Sequence, residues 1–458
     1  MIENDAFKLL LINLFHLNPD DITNIVCTTF NKMMVLLVTL ADKHQACPYC
    51  GFTAPKIKEY VTKEITHSAL TTQKCIIKYR ARRYKCPCCG KTYYEFNPFV
   101  FKSQKISILT VHNILKDLKD FNETFTSVAR RYHVSPTSVS TIFDNHVDIG
   151  RNPLPEIINF DEVYAFKSEK SKYVCVLLDF KKQIPVDVLP NRKKEYLLNY
   201  FQKIPLEERK KVKYACSDMY EVYRDVVHKV FPSCCMLLDY FHLSQDFHRK
   251  MNEVRIKVMK GYKDNKASDE YYLLKKFNWL LFKNPEDEDK YGRLFDVERE
   301  RKYNSHFKSY MNYYDLRKKL LEINNDLTIC YSLKLELVDF YSKSTIDNAK
   351  VNLENLIRSC IDTNIDEMIA FSNNLINWKQ EIINSFTIVG TEYKVEADKG
   401  QVVVCNKKVN NAIIENRNKI IKCIKNNANG YTNWSRFRNR VMYVLDPNAT
   451  FSLEPREK

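Results

Sequence analysis

Short apolar runs alternate with amphipathic segments through residues 155–245. Three β-branched runs separated by turn signals come first, and they read EIINFDEVYAF, YVCVLLDF and IPVDVLP. Two further runs, VKYACSD and CCMLLD, then alternate with segments of helical periodicity, namely EYLLNYFQKI, MYEVYRDVVHKVF and a segment that opens at FHLSQDFHRK. The pattern predicts the order β-β-β-α-β-α-β-α, which gives a mixed sheet with helices on both faces.

The segments on either side of this region have patterns of their own. Residues 1–45 carry an apolar, helix-like start and then MMVLLVTLA, a candidate buried strand. Between His242 and Gly400 the chain is rich in Lys and Tyr, and its periodicity predicts a large helical insertion.

A further helix is predicted through residues 411–425. Its apolar face consists of isoleucines, namely Ile413, Ile414, Ile420, Ile421 and Ile424. Glu415 lies on the other side of this helix with Asn418, Lys419 and Lys422. Arg417 falls on the apolar side, and the pattern gives no reason for a charge there.

Residues 124–146, TFTSVARRYHVSPTSVSTIFDNH, predict a helix-turn-helix with a first helix through Thr124–Tyr132 and a turn at residues 133–135. Ser135 can cap the second helix, and Pro136 fits its first turn, where a missing N–H costs nothing. Small polar side chains that could touch bases or phosphates are predicted to face outward, namely Thr137, Ser138, Ser140 and Thr141. Any two packed helices would give the same pattern, because the motif is weak alone.

Two CxxC pairs, CPYCG and CPCCG, are separated by 35 residues. Pairs of this kind form tight turns that hold one tetrahedral Zn²⁺ through four thiolates, here Cys47, Cys50, Cys86 and Cys89. Cys88 competes for the fourth position but breaks the CxxC spacing, and Cys75 is expected in the core. The alternative is four buried cysteines that pack as small hydrophobic side chains. The intervening ITHSAL and QKCIIKYRARRYKC predict strands of a zinc ribbon.

The charge balance is strongly basic, because 72 Lys and Arg against 56 Asp and Glu give a net charge of +16. This indicates nucleic acid or an anionic membrane as the partner. We see no run of about 18 uncharged apolar residues, and the N-terminus lacks the positive charge of a signal peptide. We therefore expect a cytoplasmic protein at the bacterial nucleoid, with its 15 cysteines as thiols or metal ligands.

Basic and aromatic residues interleave near the second CxxC pair. Nine Lys or Arg and one acid lie between Lys74 and Lys105. Arg80, Arg82 and Arg83 stand among tyrosines in this stretch. Interleaved cations and aromatic rings predict a surface that faces DNA phosphates. A solvated strand face is the alternative.

Three acids occupy strands or strand ends of the predicted sheet. Asp161 lies on the first strand, Asp218 ends the fourth and Asp239 ends the fifth. Active sites in open α/β sheets collect at the carboxyl ends of strands. Two Mg²⁺ ions about 3.5–4 Å apart need carboxylates from different elements to hold the attacking and leaving oxygens of a phosphodiester. A third acid, supplied by a helix, would complete such a site.

Glu415 is the candidate for this third acid. Residues 406–440 contain nine Lys or Arg and one Glu, which is Glu415. As a metal ligand it would stand beside Lys419 and Lys422, which would hold the DNA backbone. Alternatively, Glu415 and Lys419 are spaced i, i+4 in the favourable order and form a surface pair worth roughly 0.2–0.5 kcal/mol. The spacing alone does not decide between the two.

The ordered set of motifs resembles the transposases of the ISL3 insertion-sequence family. The motifs are CPYCG…CPCCG, a helix-turn-helix, INFDE, SDMYEVY, LLDYFH and AIIENRNKIIKCIKNNANGYTNWSRFRNR, and they cover nearly the whole chain. The resemblance implies an α/β RNase H-like mixed-sheet catalytic core of the DDE type with a large helical insertion, preceded by a zinc ribbon and a helix-turn-helix. It places the catalytic triad on Asp161, Asp218 and Glu415. Asp239 and His242 of the LLDYFH motif are then expected near the site but outside the triad.

The expected function is metal-dependent DNA transposition. Two Mg²⁺ (or Mn²⁺) ions would lie on the triad, and a structural Zn²⁺ on the cysteines. The ribbon and helix-turn-helix would bind the terminal inverted repeats, and released 3′-OH groups would attack target DNA. Because two ends must be joined, a homodimer or larger assembly is expected, with no membrane partner. The alternatives are a transposase-derived DNA-binding regulator without catalysis and a structure-selective nuclease.

The expected organisation has six parts. They are an N-terminal segment (1–45), a zinc-binding ribbon (46–97), a helix-turn-helix domain (98–150), a first part of the core (155–245), the helical insertion (246–400) and a C-terminal part of the core with Glu415 (401–458).

Overall fold

The computed structural model describes residues 2–43, 45–101, 104–166, 171–395 and 402–456. The strands are β1 (Ile22–Phe30), β2 (Met33–Leu40), β3 (Lys56–Thr66), β4 (Cys75–Lys85), β5 (Thr92–Tyr94), β6 (Ile157–Val163), β7 (Val174–Asp179), β8 (Pro185–Leu189), β9 (Tyr214–Ser217), β10 (Cys235–Leu238), β11 (Glu288–Asp289), β12 (Gly292–Arg293), β13 (Lys302–Asn304), β14 (Ser309–Met311), β15 (Ile388–Val395) and β16 (Val402–Lys408).

The helices carry the connections between these strands. They are α1 (Ile2–Leu14), α2 (Ile108–Asp117), α3 (Phe125–Arg131), α4 (Pro136–His146), α5 (Lys194–Gln202), α6 (Leu206–Arg209), α7 (Glu221–Val230), α8 (Tyr240–Lys260), α9 (Asp269–Lys276), α10 (Tyr313–Glu322), α11 (Asn325–Lys343), α12 (Ala349–Asp362), α13 (Asp366–Asn377), α14 (Lys379–Asn384), α15 (Ala412–Asn427) and α16 (Trp434–Leu445). In the described residues, no helix is both long and apolar enough to cross a membrane.

The central sheet has the strand order β10-β9-β6-β7-β8. β6 pairs antiparallel with β7, and β7 with β8, while β6, β9 and β10 run parallel to one another. The predicted β-β-β-α-β-α-β-α order is present, and the short helix α6 is the element that the pattern did not reveal. Because β6, β9 and β10 are parallel, their carboxyl ends meet at one edge of the sheet.

Alternation along the buried strands supplies a core on each face of the sheet. On β7, Cys175 and Leu177 pack in the cluster that contains α5 and α7. Val176 and Leu178 point the other way, into the cluster that contains α15 and α16. Ile414 and Ile421 of α15 are fully buried there, and burial of one such side chain contributes roughly 1.5–3 kcal/mol. This burial fixes the helix that carries Glu415 against the sheet.

Residues between α8 and β16 form a largely helical insertion with its own core. Helices α8 to α14 bury a large apolar cluster that includes Phe247, Leu337 and Phe371. The sequence predicted a helical insertion. The structure differs, because this region also contains the hairpins β11–β12, β13–β14 and β15–β16. The first two hairpins are short and charged, so they carry neither the alternation nor the apolar run by which strands are predicted.

One sheet joins the first two expected parts of the chain. Its order is β1-β2-β4-β3, with β5 paired to β4. β4 lies parallel to β2, so the expected boundary between residues 45 and 46 falls inside a continuous sheet. The physical reason is that β4 has a buried face, including Ile77 and Ala81, which packs with Leu36 of β2 instead of standing alone in a ribbon. The predicted strand ITHSAL contributes only its first two residues, at the end of β3.

Helices α2, α3 and α4 pack around a small core with one side chain from α16, Tyr443. The caps form as predicted, because Ser135 accepts from the N–H of Ser138 and Pro136 begins α4. Ser140, which was expected to face outward, is buried, and its hydroxyl donates to the carbonyl of Thr137. It lies one position from Val139, and both fall within the inner stripe of a helix that is packed on more than one side.

Candidate functional site

The predicted acids occupy the edge where the parallel strands of the central sheet end. Asp161 is the fifth residue of β6, Asp218 follows β9 and Asp239 follows β10. Phe160 faces the α7 side of the sheet, so Asp161 faces the α15 side, as the alternation predicts. Asp239 is also the residue that precedes α8.

Glu415 lies in the first turn of α15, at this same edge. One of its carboxylate oxygens is 3.8 Å from Nε2 of His242, which is in turn 3.8 Å from Oδ2 of Asp239. Thus the structure brings Glu415 together with Asp239 and His242, the two residues expected near the site but outside the triad. Asp161 and Asp218 lie near this group. The charge of His242 lowers the pKa of both carboxyl groups, against the larger effect of burial.

Burial and mutual repulsion raise the pKa values of the acids. Burial is the largest cause of the rise in the pKa of Asp161 to about 7, and the charge of Asp218 adds to it. Burial also leads the rise in the pKa of Asp218 to about 6, with the charge of Glu162 second. The pKa of Asp239 is raised mainly by burial as well. A cation placed between such desolvated carboxylates would favour their charged form.

Several polar atoms of the site have no hydrogen-bond partner among the described residues. They are Oδ1 of Asp218, Oδ2 of Asp239, Nε2 of His242, Oε2 of Glu162 and Oδ1 of Asn418. A buried polar atom left unpaired costs about 1–3 kcal/mol, and more when it is charged. Carboxylate oxygens are the ligands that Mg²⁺ and Mn²⁺ prefer, so the residues present fit a divalent cation.

Asparagines that sequence reasoning did not assign to the site hold the acids in place. Asn418, buried on α15, donates from Nδ2 to Oδ2 of Asp161 over 2.7 Å. Asn411, which precedes α15, accepts from the side chain of Asn159 on β6 over 2.7 Å. The available signal was that Asn418 follows Glu415 by three positions, which places both on one face of the helix.

Glu162 and Arg192 form a second unpredicted pair beside the acids. The guanidinium of Arg192 contacts the carboxylate of Glu162, and it lies 4.5 and 4.6 Å from the ring centres of Tyr173 and Tyr220. Its charge lowers the pKa of Asp218, against the larger effects of burial and Glu162. Glu162 thus holds the guanidinium of Arg192 at the edge of the site.

The side chains around Glu415 on α15 divide into two kinds. Lys419 and Lys422 are exposed. Arg417, for which the pattern gave no reason, donates to the backbone carbonyl of Gln183. It therefore links α15 to the turn between β7 and β8.

The four cysteines of the CxxC pairs meet in one group. Cys47 and Cys89 lie 3.7 Å apart at sulfur, Cys50 and Cys86 lie 3.5 Å apart, and all four sulfurs are within 4.8 Å of one another. Zn–S bonds of about 2.3 Å at a tetrahedral ion would separate the sulfurs by about 3.8 Å. The group therefore fits Zn²⁺.

Turn geometry explains how the cysteine sulfurs converge. Gly51 and Gly90 have φ of +75° and +71°, a conformation that side chains other than glycine rarely adopt. Each glycine N–H donates to the carbonyl of the first cysteine of its pair. Cys88 is exposed and stands outside the group found among the described residues, and Cys75 is buried in the core, as expected.

The three arginines predicted to face DNA differ in their surroundings. Arg80 is exposed and lies 4.9 Å from the ring centre of Tyr60. Arg83 contacts Glu59 over 2.6 Å and remains partly exposed. Arg82, however, is held by Glu95 over 2.8 Å, with both side chains largely buried. The geometry therefore gives Arg82 a structural partner inside the fold.

On α4, the outward positions are those of Thr137 and Thr141, which are exposed. Ser138 is partly buried, and its hydroxyl shares a 2.8 Å hydrogen bond with that of Ser135 at the start of the helix. The polar surface of α4 is thus narrower than the sequence predicted.

Comparison with known proteins adds two findings. The model of the ISL3 type of DDE transposases, described as "Transposase", matches residues 158–397. This match runs from β6 into the insertion, and Glu415 lies beyond it. The "Transposase for insertion sequence element IS1001" of Bordetella parapertussis is 19% identical over 409 residues, which cover 89% of this chain and 90% of that protein.

Proposed function

This chain belongs to the ISL3 family of transposases, and from that premise we propose that it cuts DNA at the ends of an insertion sequence and joins them to target DNA. The observation that supports the proposal is a cluster of acids at one sheet edge. Glu415 adjoins Asp239 through His242, and buried oxygens of Asp218 and Asp239 have no hydrogen-bond partner among the described residues. Carboxylates from different elements can hold the two cations that stabilise the attacking and leaving oxygens of a phosphodiester. The sheet order, with β6 between β7 and β9, supports an RNase H-like core.

Asp161, Asp218 and Glu415 are the proposed ligands of two Mg²⁺ or Mn²⁺ ions. When bound, such ions supply a water nucleophile at neutral pH and neutralise charge on the leaving oxygen. The chain's own residues orient the ligands. The amide of Asn418 fixes Oδ2 of Asp161, and the backbone N–H of Glu162 donates to Oδ1 over 2.7 Å. Each oxygen of Asp161 then keeps one lone pair for a cation.

DNA recognition is proposed for the N-terminal half and for α15. Arg80 and Arg83 would contact phosphates beside a zinc site formed by the four cysteines, and α4 would act as the recognition helix through Thr137, Ser138 and Thr141. Lys419 and Lys422 would hold the backbone next to the cut bond. The proposed order is DNA-reading parts within residues 1–150, then a core in two pieces (155–245 and 401–458) around the insertion. The joining of two ends calls for a homodimer or a larger assembly.

The test uses the purified chain, DNA that carries the element's own end, and Mg²⁺. Wild type is expected to release 3′-OH ends and to join them to a second duplex. Asp161→Asn, Asp218→Asn and Glu415→Gln should each abolish both products while binding of the end persists, because a carboxylate ligand is lost and the fold is not.

Matched controls are Asp225→Asn and Glu207→Gln, which neutralise surface acids paired with Lys194 and Lys210. Both should leave cutting and joining unchanged. Cutting retained after any one of the three triad changes would remove that residue from the triad. Binding by wild type without any product in Mg²⁺ or Mn²⁺ would instead favour the DNA-binding regulator.

A further inference from the structure

Three ligand-bearing side chains beside the proposed triad converge on one point. Nε2 of His242 lies 3.8 Å from Glu415 and 3.8 Å from Asp239, and the ligand atoms of all three are within 4.8 Å of one another. Asp239 and His242 stand before and within the first turn of α8, three positions apart, so they share one face of that helix. Glu415 reaches the same point from α15.

Direct hydrogen bonds do not account for this convergence. The distances of 3.8 Å exceed those of a hydrogen bond, which are about 2.7–3.2 Å for N–H···O. Metal bonds of about 2.0–2.2 Å would place neighbouring ligand atoms about 3–4 Å apart. The observed spacing therefore leaves room for an ion among the three side chains.

A second observation points to a ligand at this place. Asp239 is only 3% exposed, and its Oδ2, the oxygen nearest His242, has no hydrogen-bond partner among the described residues. The carboxylate is also approached by the backbone N–H groups of Phe241 and Asn411. Oδ2 of Asp239 is therefore aimed, unpaired, at His242 and Glu415. Nε2 of His242 is likewise buried and unpaired in the described chain.

We propose that Asp239, His242 and Glu415 together bind one divalent cation, with Nε2 of His242 as a nitrogen ligand. The inference deepens the proposed function, because it shares Glu415 with the triad. It gives one of the two cations three protein ligands and leaves the other cation to Asp161 and Asp218. Three ligands leave open positions for water and for a phosphate oxygen. A nitrogen ligand favours Mn²⁺ over Mg²⁺, which prefers oxygen alone.

The test measures Mn²⁺ bound to the full-length protein, without DNA, by pulsed electron paramagnetic resonance. An imidazole nitrogen bonded to Mn²⁺ gives a ¹⁴N modulation that carboxylates do not give. Wild type should show this modulation, and His242→Gln should lose it. His228→Gln, which changes an exposed histidine of α7, is the matched control and should keep it.

Affinity supplies a second readout. His242→Gln and Asp239→Asn should each weaken Mn²⁺ binding at one site by at least about ten-fold, and His242→Gln should also lower the preference for Mn²⁺ over Mg²⁺. Circular dichroism of the metal-free variants checks that they fold. Mn²⁺ that binds wild type without nitrogen modulation would overturn the inference, as would modulation that survives in His242→Gln.

The outcomes separate this inference from the proposed function. If wild type cuts DNA and shows no nitrogen modulation, the transposase proposal stands and the nitrogen ligand is wrong. If the modulation is present and no DNA end is ever cut, the cation site stands and the proposed activity is wrong.

Discussion

The cysteine group and the acid group contrast two ways of building a candidate metal site. The cysteines face one another across 42 and 36 positions of sequence, from two turns attached to a single sheet. The acids and their supporting amides come together across up to 257 positions, as between Asp161 and Asn418. Their elements are β6, β9, β10, α8 and α15, with the whole insertion in between.

Sequence distance itself explains little of this contrast. Each doubling of a closed loop costs only about 0.6 kcal/mol, less than the burial of one isoleucine of α15. The difference lies in what sets the ligand positions. Backbone turns at Gly51 and Gly90 set the sulfurs, whereas the packing of α15 on the sheet sets Glu415 and Asn418. Metal should therefore hold the first site together, whereas the fold should hold the second site together without metal.

The largest effect is expected from Cys86→Ser. A structural zinc site contributes on the order of 10 kcal/mol in small domains, and the turns at both CxxC pairs have few apolar contacts to replace it. The variant should lose its zinc and at least about 100-fold in binding of the element's end. Zinc content and end binding are the measurements.

Cys88→Ser is the control for this change, since it alters an exposed neighbour in the same turn. It should keep both zinc and DNA binding. Loss of zinc from Cys88→Ser, with retention in Cys89→Ser, would reassign the fourth ligand from Cys89 to Cys88.

The second-largest effect is a pH dependence of the folding stability, which comes from Asp161 of the acid group. The folded pKa of Asp161, about 7, lies above the ordinary value of 3.8, so the folded state binds this proton more tightly than the unfolded chain does. Its contribution to stability is full below pH 3.8 and is lost as pH rises through 7. At about 1.4 kcal/mol for each pKa unit, the loss amounts to a few kcal/mol.

Denaturant unfolding without divalent cations, at pH 5 and at pH 8, measures this loss. From pH 5 to pH 8, wild type should lose more stability than Asp161→Asn does, because the side chain of the variant does not titrate. Mg²⁺ at pH 8 should stabilise wild type more than Asp161→Asn, because the variant keeps only the cation site at Asp239, His242 and Glu415. Equal pH dependence in both proteins would show that Asp161 is not the group that titrates.

Asn418→Ala should have a smaller effect. Loss of the amide leaves Oδ2 of Asp161 without its 2.7 Å donor, and removal of groups that orient metal ligands commonly costs 10–100-fold. DNA cutting should fall by about that factor while end binding stays unchanged. The control is Asn416→Ala, an exposed neighbour on the same helix. An equal fall in both variants would mean that the helix, and not the hydrogen bond, is responsible.

Local features of this chain were predictable because their causes are local. The CxxC spacing identified the four cysteines, and the β-branched runs identified β6 to β10. Turn and cap residues such as Ser135 and Pro136 marked the start of α4. In each case the residues that determine the structure lie within a few positions of it.

Features that depend on distant packing were not predictable in this way. Arg82 looked like its neighbours Arg80 and Arg83, and only the position of Glu95, thirteen residues further on, sets it apart. The pattern placed Asn418 on the polar side of α15, whereas the packing of α15 against β6 buries it. For Glu415 the spacing left two roles open, and the choice rested on resemblance. The short hairpins of the insertion have no apolar pattern at all.

The smallest effect is expected from the arginines of the N-terminal sheet. It distinguishes an arginine that contacts DNA from one that stabilises the fold. Arg80 is exposed, so Arg80→Ala should weaken DNA binding a few-fold and reduce the slope of log affinity against log salt by about 1. Arg82→Ala should instead lower the thermal stability of the sheet that carries the cysteine group, because Glu95 is left buried without its partner. Binding titrations at several salt concentrations, together with melting curves, measure both. If Arg82→Ala changed the salt slope and left stability intact, the Glu95 pair would be unimportant and Arg82 would belong to the DNA-facing surface after all.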